Sequence, residues 1–456
     1  MNGHILEDLP IAVDRFLQKD LHWVKLHFLT HMHTDHTCGL SSSWKRPIYC
    51  THITSKLLKH KFNISPTFIK ALEENETHFI ENGHFSVTVS VIPANHCMGS
   101  CMFLFQTDNK QILYTGDFRF DEELPQSLEI FLKGPPIDTL YLDNTYCEPV
   151  CSHPSREEAI EMMANICKEH SESRIMIGVS WVGHEEMLIK LSEKLNDFIS
   201  VDESVIKRLE IMEITDHFQS NISARLNALP NHLLTCEYVK AWNKDLYAIP
   251  TIGIKPTAMY GSEMRIAHNS NGSLYMVPYS NHCNYQEICD FVKLVCPVNI
   301  RPIVSGRHGR AGMESFFRAD MRQFSRYLNR DSSVLSKPKT PADAAPVFEV
   351  DNICSADISD DDYYLNNDKR SKMAQNRRKQ LKRINRNKMN LKRGVVFHES
   401  PEDGGLLKNQ KNFNDNIGKV TVCRDKTSDN CELRFISTER QREVENEILH
   451  NIDKLF

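Results

Sequence analysis

The chain has 456 residues, 40% apolar and 25% charged, with a net charge of −5. That length exceeds what one hydrophobic core fills, and the composition is that of a soluble chain with two packed units and additional segments. No window approaches the roughly eighteen apolar residues of a membrane span, the start MNGHILEDLPIAVD meets acidic residues too early for a secretory leader, and fourteen cysteines without a CxxC pair argue for reduced thiols in an intracellular protein rather than a disulfide framework or zinc ribbon.

From the N-terminus to about residue 310, strand-like runs alternate with helical ones, the rhythm of an α/β protein. Strands are predicted at 11–16, 25–30, 47–50, 85–92, 100–107, 111–115, 139–142, 174–179, 246–254, 274–278 and 300–304. The run FSVTVSVI from Phe85 alternates as a half-buried strand does, and Asp108-Asn109 between two apolar runs predicts a hairpin turn. Helices are predicted at 155–169, where Ser155 before Arg-Glu-Glu offers a capping box, and at 184–194 and 285–295. After about residue 335 the pattern dissolves. Five aspartates stand in 351–362, and 369–393 then carries twelve Lys and Arg with no acidic residue. Such a block is a nuclear import signal, a nucleic-acid contact or a solvated face. A short docking helix is expected at 438–456, with Val444, Ile448, Ile452 and Leu455 on one stripe.

HMHTDH sets His31, His33, Asp35 and His36 directly after the apolar run that ends near Thr30. With a tight turn there, His31 and His33 reach one side of a pocket while Asp35 and His36 fill a neighbouring position. Imidazole together with carboxylate selects zinc, or else manganese or iron, over calcium and magnesium. The competing reading, a metal-free surface histidine cluster, leaves several polar groups crowded at a strand end without a partner, which is costly. His96 in IPANHCMGS and Asp117 in LYTGDF also follow apolar strands, and they complete three histidines around one metal with a carboxylate able to bridge two. Asp14 in IAVDRF is a further strand-terminal acid, either a ligand or a partner that orients a histidine.

In this order, Asp14, HMHTDH, ANHCMGS and YTGDFR resemble the metallo-β-lactamase superfamily. LYLDNTYC with VPYSNHCNYQEICDFV narrows the resemblance to its β-CASP nucleases, over roughly residues 1–310 with an island near 391–403. The resemblance implies an α/β fold: a metallo-β-lactamase αββα sandwich beginning at 1–149, a β-CASP domain inserted at 150–255, a return at 256–335 and a largely disordered tail over 336–456. It also implies that His31, His33 and His96 hold one Zn2+, that Asp117 bridges, and that Asp35, His36 and His282 complete a second site, so that one or two zinc ions bind. Asp14 and Asp143 join Asp35, His36 and Asp117 in the implied catalytic set by fixing imidazole orientations. Ser280, the backbone N–H groups near Tyr285 and the imidazole of His184 are the candidates for holding a terminal phosphate, with an ordinary helix N-cap as the other role for Ser280. Val304 aligns where RNA-cutting relatives carry histidine and DNA-cutting ones valine.

The implied activity is a zinc-dependent 5′→3′ exonuclease acting on DNA with a 5′-phosphate end. It would work in the nucleus, in crosslink or double-strand-break repair or telomere-end processing, with repair or telomere-protection proteins as partners and no membrane. The alternatives are an RNA-cleaving β-CASP endonuclease, a small-ester metallohydrolase of the same fold, and a catalytically weak scaffold; Val304 argues against the first and the unbroken ligand set against the last. Four departures from the family pattern stand out: Met98 for a proline, His184 for a lysine, Asn227 for a histidine, and YYLNN at 363–367 without the proline of the telomere-docking motif.

Overall fold

The central strands of this chain, such as LHF at 26–28, CMFLF at 101–105 and RIMIG at 174–178, are short, largely apolar and buried on both faces, so they sit inside a layered structure. The computed structural model describes residues 3–304 and 320–329 apart from 21, 122–123, 222, 245–248, 259–260 and 270–271. The first five strands, β1 (His4–Ile5), β2 (Ile11–Val13), β3 (Leu26–Phe28), β4 (Ile48–Thr51) and β5 (Ile69–Leu72), form one sheet in sequence order. A second sheet contains β6 (Thr77–Asn82), β7 (Phe85–Pro93), β8 (Cys101–Thr107), β9 (Lys110–Tyr114) and β10 (Thr139–Leu142). In β7 every second residue, Val87, Val89 and Val91, faces the first sheet, where it meets Ile11, Val13, Leu26 and Phe28. The predicted turn is present: Thr107 pairs with Lys110, leaving Asp108-Asn109 as the hairpin loop.

The outer faces of both sheets are covered by helices. Leu29, Met32, Ile48 and Cys50 pack against Leu57 and Leu58 of α1 (His52–Phe62). Met102, Leu104, Leu113 and Leu140 of the second sheet pack against α2 (Leu124–Phe131) and, from much later in the chain, Ile288, Phe291 and Val292. This is the expected αββα sandwich.

The inserted domain is a third sheet with helices on it. α3 (Arg156–Glu169) begins with the predicted capping box, Ser155 and Glu158 each accepting from the other's backbone. The sheet consists of β11 (Arg174–Val179), β12 (Ile199–Ser200), β13 (Phe218–Gln219), β14 (Leu226–Pro230), β15 (Thr251–Thr257), β16 (Arg265–Asn269) and β17 (Gly272–Pro278), in the order β13-β12-β14-β11-β15-β17-β16. Its core joins α3 to α4 (Glu185–Leu195) and α5 (Glu203–Met212), while α6 (Cys236–Trp242) covers the other face. The expected domain boundary at 255/256 falls inside this sheet, because β17 pairs parallel with β15 from Gly253↔Leu274 to Thr257↔Pro278. Sheet membership therefore divides the chain just after Pro278. α7 (Tyr285–Val295) and β18 (Asn299–Pro302) then return, β18 pairing parallel with β10. The basic block, YYLNN and the 438–456 helix lie outside the described residues.

Candidate metal centre

Asp14 follows β2, His31 follows β3, His96 follows β7, Asp117 follows β9, Asp143 follows β10 and Ser280–His282 follow β17, so the strand-terminal loops of all three sheets converge. Three of these loops leave their strand through a left-handed residue, at Asp14 (φ 55), Asn95 (φ 53) and Gly116 (φ 56). Asp and Asn tolerate that conformation because their short side chains bond locally. At Gly116 a side chain is excluded outright, since a Cβ would come within 2.9 Å of Thr30.

Three imidazole nitrogens meet at one point. His31 Nε2 is 3.0 Å from His33 Nδ1, and His96 Nε2 is 2.9 Å from the same atom. Each ring's outer nitrogen faces an acceptor. His33 Nε2 faces the Val182 carbonyl at 3.1 Å, and His96 Nδ1 faces the Asn281 carbonyl at 3.1 Å. His31 Nδ1 faces Thr30 Oγ1 at 3.0 Å, and that hydroxyl already donates its hydrogen to Asp14 Oδ2 at 2.7 Å. The proton of each ring is therefore on the outer side, and three lone pairs point at one another with no hydrogen between them. Burial, followed by the neighbouring imidazoles, holds His31 and His96 well below the usual histidine range, so protonation of those two rings does not relieve the repulsion. A dication does.

Asp117 closes this cage and opens the next. Its Oδ2 lies 3.7 Å from His31 Nε2 and 3.8 Å from His96 Nε2, but also 3.2 Å from His36 Nε2 and 3.9 Å from His282 Nε2. Its Oδ1 is buried without a hydrogen-bond partner, a state that costs about 1–3 kcal/mol or more for a charged group unless an ion satisfies it. Burial pushes its carboxyl up, against the pull of His36 and His282. Three candidate ligand groups thus share Asp117: His31, His33 and His96; Asp35 and His36; and Asp143 and His282. Donors at roughly 2.0–2.2 Å around a tetrahedral zinc are a little over 3 Å apart, and the donor set of imidazoles and carboxylates suits that ion. The residues present therefore fit a transition-metal pair.

The surrounding hydrogen bonds fix these ligands. His36 Nδ1 is 2.8 Å from Asp14 Oδ2, and His282 Nδ1 is 2.8 Å from Asp143 Oδ2. Burial, the largest influence on His36, opposes a charge there, but the carboxylates of Asp117, Asp35 and Asp14 outweigh it and hold His36 well above its ordinary value. Positive charge belongs at that point, as a proton or as a metal. Asp143 is opposed by burial but held below the usual carboxylate range by His282 and by Thr145, which donates through its hydroxyl at 2.7 Å and its N–H at 3.0 Å.

Met98 replaces a rigid residue, yet its loop is held by other means. Ser100 Oγ accepts from the N–H groups of His96 and Cys97, both at 3.1 Å, and the hydroxyls of Thr51 and Thr54 donate to the Gly99 carbonyl at 2.7 and 2.8 Å. Asn227 is spent on the Ala224 carbonyl at 2.7 Å.

Of the groups expected to form an anion site, the Ser280 hydroxyl and the Tyr285 N–H are already engaged within the protein. The Ser280 hydroxyl donates to the His282 carbonyl and accepts from the His282 N–H, at 3.0 and 2.9 Å. The Tyr285 N–H donates to the Cys151 carbonyl, and the helix is capped by Asn284 in a capping box with Glu287, so Ser280 is not the N-cap either. His184 is buried, its Nδ1 accepting from the Ser180 N–H at 2.9 Å. Pattern reading also missed Thr30, Val182 and Asn281, which reach the metal histidines through a hydroxyl or backbone carbonyls. The one trace in the sequence is Gly183, the neighbour of Val182, which stands at φ 106.

A bridging buried carboxylate between histidine groups, at the strand ends of an αββα sandwich with an inserted α/β domain, defines a metal-dependent hydrolase of the metallo-β-lactamase class. Residues 9–172 match the beta-lactamase superfamily domain and residues 209–307 match the DNA repair metallo-beta-lactamase family. The chain is 36% identical over 321 residues to the 5′ exonuclease Apollo of Gallus gallus, covering 70% of this chain and 67% of that one. It is 39% identical over 312 residues to Apollo of Danio rerio, covering 67% and 52%, and 30% identical over 345 residues to the DNA cross-link repair protein SNM1 of Arabidopsis thaliana, covering 70% and 69%. The chain belongs to the DNA-repair metallo-β-lactamase nucleases.

Proposed function

We propose that this protein is a zinc-dependent 5′→3′ DNA exonuclease that removes nucleotides from a 5′-phosphorylated end in the nucleus. The observation that carries this is the convergence of three proton-free imidazole nitrogens beside the unpartnered Oδ1 of Asp117, because burying such groups together is costly unless a cation offsets them. A bound dication pair would make water nucleophilic near neutral pH and offset charge on a phosphodiester.

Every other part of the chemistry belongs to the chain. His31, His33 and His96 present lone pairs because Thr30, Val182 and Asn281 hold their protons on the outer side. Asp35 and His36, joined at Asp117 by His282 from the neighbouring group, would hold the second ion, with Asp14 and Asp143 keeping the protons of His36 and His282 on Nδ1. Asp117, desolvated and shared, fixes the spacing between the groups.

Choice of DNA is supported by Val304. Its N–H donates to Asn144 Oδ1 at 2.8 Å and its carbonyl accepts from Asn144 Nδ2 at 3.1 Å, which ties the backbone of this position to the residue that follows Asp143, at the point where an RNA-cutting relative has imidazole. The named 5′ exonuclease relatives support the polarity. A role in crosslink repair follows the name of the SNM1 relative, the nuclear address is assigned to the 369–393 block, and recruitment to telomere ends is left to other contacts than YYLNN.

The test is to incubate the protein with 5′-phosphorylated and 5′-hydroxyl single-stranded DNA and with RNA of the same sequence, with and without a chelator. Progressive, chelator-sensitive shortening of the phosphorylated DNA supports the proposal. Equal or better cleavage of RNA would overturn it in favour of the β-CASP ribonuclease alternative.

A further inference from the structure

The loop from Ser280 to Asn284 does two jobs at the metal centre. It presents His282 to Asp117 and Asp143, and through the Asn281 carbonyl it sets the proton of His96. A loop with two such duties needs an anchor in the other sheet. Arg119 supplies it. This side chain is among the largest that are fully buried, and it lies two residues beyond Asp117.

Its Nη1 donates to the Ser280 carbonyl at 2.8 Å and to the His282 carbonyl at 3.3 Å. Its Nη2 donates to the Pro154 carbonyl and to Glu287 Oε1, both at 2.9 Å. The guanidinium thus spans the strand end that carries Asp117, the entry to the inserted domain and the start of α7. Two further links follow the same line: Cys283 N–H donates to the Phe118 carbonyl at 3.0 Å, and His153 Nε2 faces the His282 carbonyl at 3.0 Å. Burying a guanidinium is costly unless it is compensated, and here three backbone carbonyls, two of them from this loop, share it with the carboxylate of Glu287, whose Oε2 also lies 2.8 Å from Nε. The planar fork reaches several carbonyls at once, which a lysine ammonium on a flexible stem does not.

We infer that Arg119 is a positioning residue whose guanidinium, bound to the Ser280 and His282 carbonyls, holds His282 in register with Asp117 and thereby sets the affinity of the second metal position. The inference rests on the metal-pair arrangement proposed above. It does not require Arg119 to touch substrate.

The experiment uses the full chain and compares wild type, Arg119→Gln, Arg119→Lys and Leu128→Ala, the last removing a buried side chain from the same core. Zinc is titrated in competition with a chromogenic chelator, and kcat and KM are measured on a 5′-phosphorylated oligonucleotide. The expected result is that Arg119→Gln weakens the second zinc by about 10–100-fold and lowers kcat to a similar degree, as loss of an orienting partner does, with the first zinc and KM little changed. Arg119→Lys, which keeps the charge, falls in the same direction and is the deciding variant if the glutamine protein does not fold. Variants that titrate like wild type overturn the inference, as does a Leu128→Ala protein with the same selective loss of the second zinc. A wild-type chain that takes up only a single zinc overturns instead the metal-pair arrangement on which it rests.

Discussion

Asp14 Oδ2 and His36 Nδ1 stand 2.8 Å apart with neither side chain exposed to solvent. The same carboxylate accepts the Thr30 hydroxyl at 2.7 Å through Oδ2 and the Thr30 N–H at 2.8 Å through Oδ1. One acid therefore orients His36 directly and His31 through Thr30, so both ligand groups depend on a residue that belongs to neither.

Asp14→Asn isolates that dependence. Asparagine keeps the left-handed backbone at this position without strain, but its amide cannot accept from both Thr30 and His36 on one atom pair in the same way. Metal affinity should fall about 10–100-fold and activity with it, while the fold is retained. Zinc titration and circular dichroism on the same sample check this; wild-type affinity would remove Asp14 from the orienting role.

Asp35 offers the contrasting case. Its side chain is a quarter exposed, so it contributes little to packing but stands 3.5 Å from His36 Nε2. Asp35→Asn should reduce cleavage by about 100-fold or more and leave the thermal transition of the metal-free protein nearly unchanged. Full activity in that variant would exclude it from the ligand set.

Gly183→Ala tests the seam between the inserted domain and His33. Gly183 has φ 106, and a Cβ there would lie 3.0 Å from Asn281 Nδ2 and 3.4 Å from His33 Nε2. The strained backbone should cost about 1–3 kcal/mol, and displacement of the Val182 carbonyl should weaken the first metal. Denaturant unfolding and metal titration together separate the two effects.

His27 gives a pH prediction away from the metals. It is buried between Phe16 and Trp44 with Nδ1 lacking a partner, and burial, helped by Arg46, lowers its pKa from 6.5 to about 4. Above pH 6.5 neither the folded nor the unfolded chain protonates it. Between pH 6.5 and 4 only the unfolded chain does, so stability is lost as pH falls, by up to about 1.4 kcal/mol per pH unit. His153, lowered to about 3 mainly by burial, adds a second loss of the same sign. His27→Leu should therefore lessen the acid-side decline of the melting temperature without abolishing it; a variant that declines as steeply as wild type would show that His27 stays neutral in neither state.

Much of this architecture was legible in advance where local chemistry and tertiary context agree. The helix at 285–295 and the strands at 139–142 and 174–179 end where propensity and apolar runs end, and Asp108-Asn109 turns the chain because only two residues separate the strands. Residues 52–62 were not seen as a helix, because HITSKLLKHKF is too polar to show its face; its N-cap by Thr51 and its packing on Leu57 and Leu58 decide it. The edge strands β5, β6 and β16 have one face in solvent and little apolar signal. The candidate ligands stand out in the sequence because imidazole and carboxylate at strand ends are rare and costly. Their supports do not, since Val182 and Asn281 act through carbonyls that every residue possesses, and the use of Arg119 appears only when loops more than 150 residues apart are brought together.

The central claim is that His31, His33, His96 and Asp117 form a cage for a dication. Elemental analysis of the purified full-length chain, followed by chelation and readdition, tests it most directly. About one to two equivalents of transition metal per chain, lost with activity on chelation and restored together on adding zinc, are predicted. A protein that carries no transition metal, and whose melting temperature and activity do not respond to its addition, would contradict the account.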